Sequence, residues 1–348
     1  MTIGGLKLLS REAFSTGVLT RDRHTCVACG DSAVDAHHLL ERRLFQGDAE
    51  RGGYFLDNGV SVCGRCHLLA ETTDLSVEDL RHRAGISTNI LPEHFEPDDR
   101  LDKWGNQILP NGTRLRGELF FEEAVQKALR AHLDLFTHYV KAPKTYHLPW
   151  SPGLTNGDKV LVSLSPFVGK RVIATKKMDG ENNTLYRDHL HARSLDGRHH
   201  PSRDWLRQFH AGIAPDIPEF WRVTGEGMYA RHSIAYENLR SWFLGFGVWN
   251  ERNVNLAWDE TLEWFSLLGI EPVEVIYDGI FDEAKIRRLH EQLDLDRDEG
   301  FVLRVADSFS YRDYRTHVGK YVRAAHVQTD QHWMQGPVIR NGLITDKK

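Results

Sequence analysis

The sequence predicts an α+β protein built from a small zinc-centred ββα domain, a helical connector and a larger domain of antiparallel strands. Three observations predict it. All four cysteines fall between positions 26 and 66, as Cys26-x-x-Cys29 and Cys63-x-x-Cys66. Residues 117–140 carry apolar side chains at helical spacing. Beyond residue 145, short apolar runs ending in glycine or charge recur at 171–175, 221–226, 242–248, 299–304 and 319–323. The boundaries read as 1–88, 89–142 and 143–348.

At 348 residues the chain suggests two domains and can bury a real core. Its 41% hydrophobic and 27% charged residues fit a globular protein, and no apolar run reaches the length of a membrane span. The N-terminus lacks a signal-peptide core, so a cytoplasmic location is expected. The net charge of -5 provides no global basic footprint; a nucleic-acid partner would be held by local Lys and Arg.

Residues 1–20 form an amphipathic lead-in, with Leu8, Leu9 and Phe14 apolar. The two cysteine knuckles follow, and in a reducing compartment such pairs favour tetrahedral zinc over disulfides. Between them lie Asp35-Ala36-His37-His38 and Asp57-Asn58-Gly59; His67 directly follows Cys66, and Leu68 to Arg83 reads as helical. So small a unit depends on its metal.

Residues 20–85 resemble the HNH endonuclease family through the His37-His38 pair, Asn58 and His67. The resemblance implies that His38 is the general base that activates water, that His37 and His67 hold a catalytic divalent metal, and that Asn58 orients the base. Asp35 is a second candidate ligand. The chemistry suits a phosphodiester, since a metal stabilises developing charge while imidazole takes a proton. A zinc module that only binds nucleic acid is the alternative. Residues 1–100 hold 11 Lys/Arg against 16 Asp/Glu, so phosphate attraction would fall to residues such as Arg42, Arg43, Arg51 and Arg65.

Pro92, Pro97 and Pro110 mark residues 84–116 as an irregular connector. The following apolar residues, among them Phe120, Phe121, Leu129, Leu133 and Phe136, predict one long helix over 117–140. Pro143, Pro149 and Pro152 close it.

The stretch that organises the remainder is Lys177-Met178-Asp179-Gly180, at the end of an apolar strand, where Gly180 lets the chain turn away. A lysine is a nucleophile only when unprotonated, and its ordinary pKa of about 10.4 makes it a poor one unless burial or cationic neighbours lower it. After it come Asn182, Arg193, Gly225-Glu226, Phe243-Leu244-Gly245-Phe246-Gly247, Glu299-Gly300-Phe301-Val302-Leu303-Arg304 and Gly319-Lys320-Tyr321-Val322-Arg323.

In that order these motifs resemble the covalent nucleotidyltransferases, over about residues 145–330. Within that superfamily Gly180-Glu181-Asn182, with Arg193 beyond, is similar to the RNA ligases related to the second RNA ligase of T-even bacteriophages. The resemblance implies that Lys177 attacks the α-phosphate of ATP and holds AMP as a phosphoramidate. Asp179, Gly180, Asn182 and Arg193 would belong to the nucleotide pocket, and Glu226 would bond the ribose. Glu299 would bind a catalytic Mg2+ or Mn2+, and Lys320 would contact the AMP phosphate and depress the nucleophile's pKa. Strict alternation puts Phe243 on one face with Gly245 and Gly247, so Phe243 rather than Phe246 is expected to stack on adenine. Two departures stand out. Lys320-Tyr321-Val322-Arg323 replaces the family's Lys-x-Lys, and Arg304 sits at an odd separation from Glu299, which leaves it without a role.

The expected function is therefore an ATP-dependent RNA ligase that seals 5′-phosphate and 3′-hydroxyl ends, with an appended HNH-type nuclease and a part in repair. RNA is the expected partner, with RNA/DNA hybrid or DNA as the alternatives. The rivals are a nuclease with a nucleotide-sensing domain, and a ligase whose zinc domain only binds nucleic acid.

Overall fold

The computed structural model describes residues 2–347 apart from 4, 5, 96, 98, 156, 194, 196–199, 295, 296 and 325–337. The chain divides into two units, Met1–Val140 and Lys141–Lys348.

In the first unit, helix α1 (Arg11–Arg21) starts at Ser10, whose hydroxyl accepts the Ala13 N–H at 3.1 Å. Strands β1 (Asp35–His38) and β2 (Gly59–Val62) pair antiparallel, and helix α2 (Gly64–Glu71) follows directly. The helix expected from Leu68 to Arg83 is two helices. It breaks after Glu71 and resumes as α3 (Val77–Arg83) behind a Ser76 cap. Thr72 turns its hydroxyl back onto the Leu68 and Leu69 carbonyls, a local bond that competes with the helical ladder.

The long helix expected over 117–140 is also corrected. It is a 3-10 turn (Glu118–Phe121), a short α4 (Glu123–Ala128) and a second 3-10 stretch (Arg130–Leu135). At about 100° per residue, Leu119, Phe120 and Val125 would leave one helix in three directions. All three are buried in a single cluster, so the backbone breaks to turn each inward. That cluster also holds Leu40, Leu44, Phe45, Phe55, Ile90 and Trp104. Residues 89–140 are thus part of the first unit's core rather than a separate connector.

The second unit contains β3 (Tyr146–His147), β4 (Arg171–Lys177), β5 (Glu181–Tyr186), β6 (Leu190–Ala192), α5 (Asp204–Ile213), β7 (Arg222–Gly227) and β8 (Phe243–Trp249). Beyond these lie α6 (Trp258–Leu268), β9 (Val275–Ile280), β10 (Gly300–Val305) and β11 (Val318–Val322). Among the described residues, one sheet runs β9-β4-β10-β11-β3, antiparallel except for the last pair. The other runs β6-β5-β7-β8 and continues through Val254–Asn255 to Phe309–Ser310. Leu206 of α5 and Phe265 of α6 cover the outer face of this second sheet, against Val223, Phe243 and Val248. Ile173 of the first sheet and Leu244 of the second share a cluster with Met228, Trp242 and Trp258.

Candidate active site and metal clusters

Lys177 is the last residue of β4 in one sheet, and Glu181 is the first of β5 in the other. The motif Lys177-Met178-Asp179-Gly180 is therefore the corner at which the chain changes sheets. Gly180 is needed there for space rather than for an unusual turn. A Cβ on it would lie 2.7 Å from the Gly227 carbonyl and 2.9 Å from the Glu226 side chain. Asp179 fixes the corner, accepting the Ile234 N–H at 2.8 Å, while its own N–H donates to the Tyr236 hydroxyl at 3.0 Å.

A cavity of about 590 Å³ opens at this corner, lined from both sheets. Lys177 Nζ donates to Glu299 Oε2 at 2.5 Å. Register explains the rest. Asn182 pairs with Glu226, and both line the cavity. Val302 lies between Thr175 and Lys320 in one cross-strand row, which puts Lys320 on the Lys177 face of its sheet. Arg193 also reaches the cavity. The structure thus brings together Lys177, Gly180, Asn182, Arg193, Glu226 and Lys320 at the cavity wall, with Glu299 on the lysine and Asp179 holding the corner.

Phe243 is the exception. It is fully buried on the outer face of its sheet, its ring 5.9 Å from that of Phe209, and Phe246 lines the cavity instead. Alternation holds for Phe243 and Gly245, but that shared face belongs to the core. A Cβ on Gly245 would meet Phe265 at 2.6 Å, so the missing side chain makes room for α6 and not for a base. Between Gly245 and Gly247 the pairing with β7 shifts by one residue, a bulge at Phe246. Gly247 then faces Thr224 and Asn255, both on the cavity wall. The two glycines lie on opposite faces, which the motif does not reveal.

The electrostatics also differ from expectation. Burial by itself would lower the Lys177 pKa, but Glu299, Glu226 and Asp179 outweigh it and raise it. The Lys320 pKa is lowered, by burial first and by repulsion from Lys177 among the charges around it. Burial pushes the Glu226 carboxyl up to about 8, with Lys177 working against the rise. Around Lys177 these acidic groups therefore favour the charged form of the lysine.

Arg304, given no role by spacing, lines the cavity beside Val302, as does His232. Burial lowers the Arg304 guanidinium to about 10. It donates to the Leu256 and Val305 carbonyls and packs over Trp258 and Phe309. Arg323 is not on the cavity wall, in keeping with the alternation that separates it from Lys320.

A family model described as RNA ligase matches residues 170–322. No curated protein matches. Among solved structures, an archaeal ATP-dependent RNA ligase is 16% identical with a TM-score of 0.37, covering 53% of this chain and 48% of that one. A Naegleria gruberi RNA ligase variant with ATP and Mn is 14% identical with a TM-score of 0.35, covering 54% of this chain and 57% of that one. A putative ATP-dependent DNA ligase from Aquifex aeolicus is 16% identical with a TM-score of 0.37, covering 53% and 50%. The chain thus spans about half the length of these proteins.

In the first unit Cys26, Cys29, Cys63 and Cys66 place their sulfurs within 4.8 Å of one another, as free thiols. The Cys29 and Cys63 sulfurs are 3.6 Å apart, close to the roughly 3.8 Å edge of a tetrahedron built on a Zn–S bond of about 2.3 Å. The donor set fits zinc.

His37, His67 and Glu71 form a second group within 4.8 Å. Asp35 sits outside it and instead bonds His67 Nδ1 at 3.0 Å, which leaves Nε2 3.4 Å from Glu71. A carboxylate behind a histidine in this way fixes its tautomer for a metal. The histidine motif does not name Glu71, although His67 and Glu71, four apart, share a face of α2. His38 is not brought to this group. Alternation along β1 sends its ring the other way, stacked on Phe14 at 4.4 Å with Tyr54 edge-on at 5.4 Å. Its Nε2 is buried without a hydrogen-bond partner, and burial, then Lys103, lowers its pKa to about 4.

Asn58 does not touch the His38 ring. It accepts the Leu40 N–H at 3.0 Å and donates to the Leu40 and Gly53 carbonyls, so it pins the loop after His38. Of the expected phosphate-binding arginines, Arg43 pairs with Glu41 and Glu122, and Arg51 with Asp48.

Proposed function

We propose that the second unit is an ATP-dependent RNA ligase that works through a lysine–AMP adduct on Lys177. The observation that carries this reading is the Lys177–Glu299 ion pair on a two-sheet cavity that Asn182, Arg193, Glu226, Phe246 and Lys320 also line. Lys177 must first give up its proton. Its Nζ then attacks the α-phosphorus of ATP, the bond to the bridging oxygen of the β-phosphate breaks, and pyrophosphate leaves. A 5′-phosphate oxygen next takes the AMP and frees the lysine; finally a 3′-hydroxyl attacks the activated phosphate, forming the phosphodiester and expelling AMP. Phe246, rather than Phe243, offers a ring for adenine. Glu299 would hold Mg2+ or Mn2+, whose chemistry is to offset charge developing on the phosphates. Lys320 and Arg193 supply fixed positive charge for the same oxygens.

With ATP labelled on the α-phosphate, wild type should carry label through denaturing electrophoresis and Lys177→Ala should carry none. Lys176→Ala should keep most of it. Label persisting in Lys177→Ala would falsify the nucleophile assignment, and sealing of all-DNA nicks as fast as RNA-containing ones would overturn RNA as substrate.

A second reading concerns the first unit, where the His37–His67–Glu71 group favours a divalent metal. We infer a structural zinc on the four thiolates and a metal-dependent nuclease site beside it on His37, His67 and Glu71. His38, turned onto Phe14 and Tyr54, does not face that group as its base, and Asn58 acts only through its loop. Such a nuclease leaves 5′-phosphate and 3′-hydroxyl ends, which the ligase can reseal in repair. Metal-dependent nicking should disappear in His67→Ala and Glu71→Gln while adenylylation persists. Nicking unchanged in both variants leaves the unit as a binding module.

A further inference from the structure

We propose that Asp158 is a positioning residue that holds the Lys320 ammonium over the cavity, through a chain of contacts that ties it to the closing strand. This rests on the ligase reading of Lys320. Among the described residues, the carboxylate is fixed through one oxygen and faces Lys320 through the other. Its Oδ2 accepts the Thr155 N–H at 3.0 Å and the Thr155 hydroxyl at 2.7 Å, with His147 Nε2 3.3 Å away. The buried His147 ring is anchored in turn, its Nδ1 2.8 Å from Ser151 Oγ, which accepts the Val322 N–H at 2.9 Å. His147 is also the residue of β3 that pairs with Lys320 in β11. That leaves Asp158 Oδ1, 3.8 Å from Lys320 Nζ. Both side chains line the cavity.

Lysine needs such a partner because it is a point charge on a flexible four-carbon stem. The charged groups acting on Lys320 are Asp158, Lys177, Glu299 and Arg193. Burial and the two cations disfavour its charge; the two carboxylates support it. Glu299 is already engaged by Lys177, so Asp158 is the carboxylate left to hold Lys320. The motif does not reveal it, because Asp158 lies in an irregular segment far from Lys320 in sequence.

Two measurements test this, and they fail separately. The first needs no ligase chemistry. With an amine-acylating reagent and mass spectrometry, Lys320 in Asp158→Asn should react several-fold faster than in wild type, with Lys159 as internal reference. An unchanged ratio overturns the proposal even if adenylylation is intact. The second is a double-mutant cycle on adenylylation. Asp158→Asn should slow adduct formation about tenfold, the scale of coupling between neighbouring residues. Lys320→Gln should cost more, and the double variant no more than Lys320→Gln alone. Full additivity would mean that Asp158 acts on the nucleotide directly, against the proposal. Asparagine keeps an oxygen for Thr155; should that variant still fail to fold, Asp158→Glu is the second test. It keeps the charge and should recover most of the rate; a rate as low as that of Lys320→Gln would overturn the proposal. A wild type that forms no adduct defeats the ligase reading alone, because the acylation ratio still decides the contact.

Discussion

The thiolate cluster of the first unit and the lysine cavity of the second are assembled in opposite ways. Four cysteines within 41 positions, two in the knuckle after α1 and two at the start of α2, converge within 4.8 Å of one another, a donor set that fits zinc. Lys177, Glu226 and Lys320 come instead from three strands of two sheets, with Glu299 directly before a fourth; β4, β10 and β11 share one hydrophobic cluster and β7 is seated on another. The first site stabilises its surroundings, whereas in the second the surroundings stabilise the site. A site of the first kind is lost with its ligand, and one of the second kind survives without it.

The largest expected effect follows from that difference. Cys26→Ala or Cys63→Ala should strip the zinc and abolish cooperative unfolding of the first unit, since structural zinc contributes on the order of 10 kcal/mol to such folds. Zinc content and limited proteolysis would report it. Adenylylation should survive, because no cysteine lies in the second unit. Loss of adenylylation would break the contrast.

Next comes the phenylalanine pair of β8. Phe243→Ala should destabilise the second unit by about 3–5 kcal/mol, the cost of emptying a core aromatic site, as read by thermal or urea unfolding. Phe246→Ala should leave stability nearly intact and weaken ATP use by about tenfold, at the low end of base-stacking losses. If the two variants exchange these phenotypes, the assignment by face is wrong.

A third effect, visible only as a function of pH, belongs to Glu226, whose carboxyl burial raises from the ordinary 4.5 to about 8. Between those values the unfolded chain ionises while the folded one does not, so stability is lost as pH rises through that window. Glu226→Gln cannot ionise. It should melt with wild type at pH 4 and above it at pH 8, by about 2–4 °C per kcal/mol recovered. Equal melting points at both values would show that the Lys177 charge cancels the burial cost.

Where a motif and its structural reason lie within a few residues, the sequence was readable. The knuckles, the lysine corner and the strands that carry Glu226 and Lys320 all lie where the motifs put them. Failures occurred where a neighbour distant in sequence decided the outcome. Residues 117–140 look helical one residue at a time, but three of their apolar side chains share one core, so the helix breaks. Glu71 was within reach through its spacing from His67; Asp158 was not.

By itself the sequence determined which residue types could do chemistry, in what order, and which ends of which strands carry them, because these follow from local geometry and side-chain pKa. Only the tertiary structure decided which face each side chain occupies and which charge it meets. One bulge at Phe246 reverses the faces of Gly245 and Gly247. The register of β4 on β10 brings Glu299 to Lys177 and raises a pKa that the motif alone suggests is lowered. A period-two pattern fixes faces only while the register holds, and charge–charge energies depend on distances that the sequence does not contain.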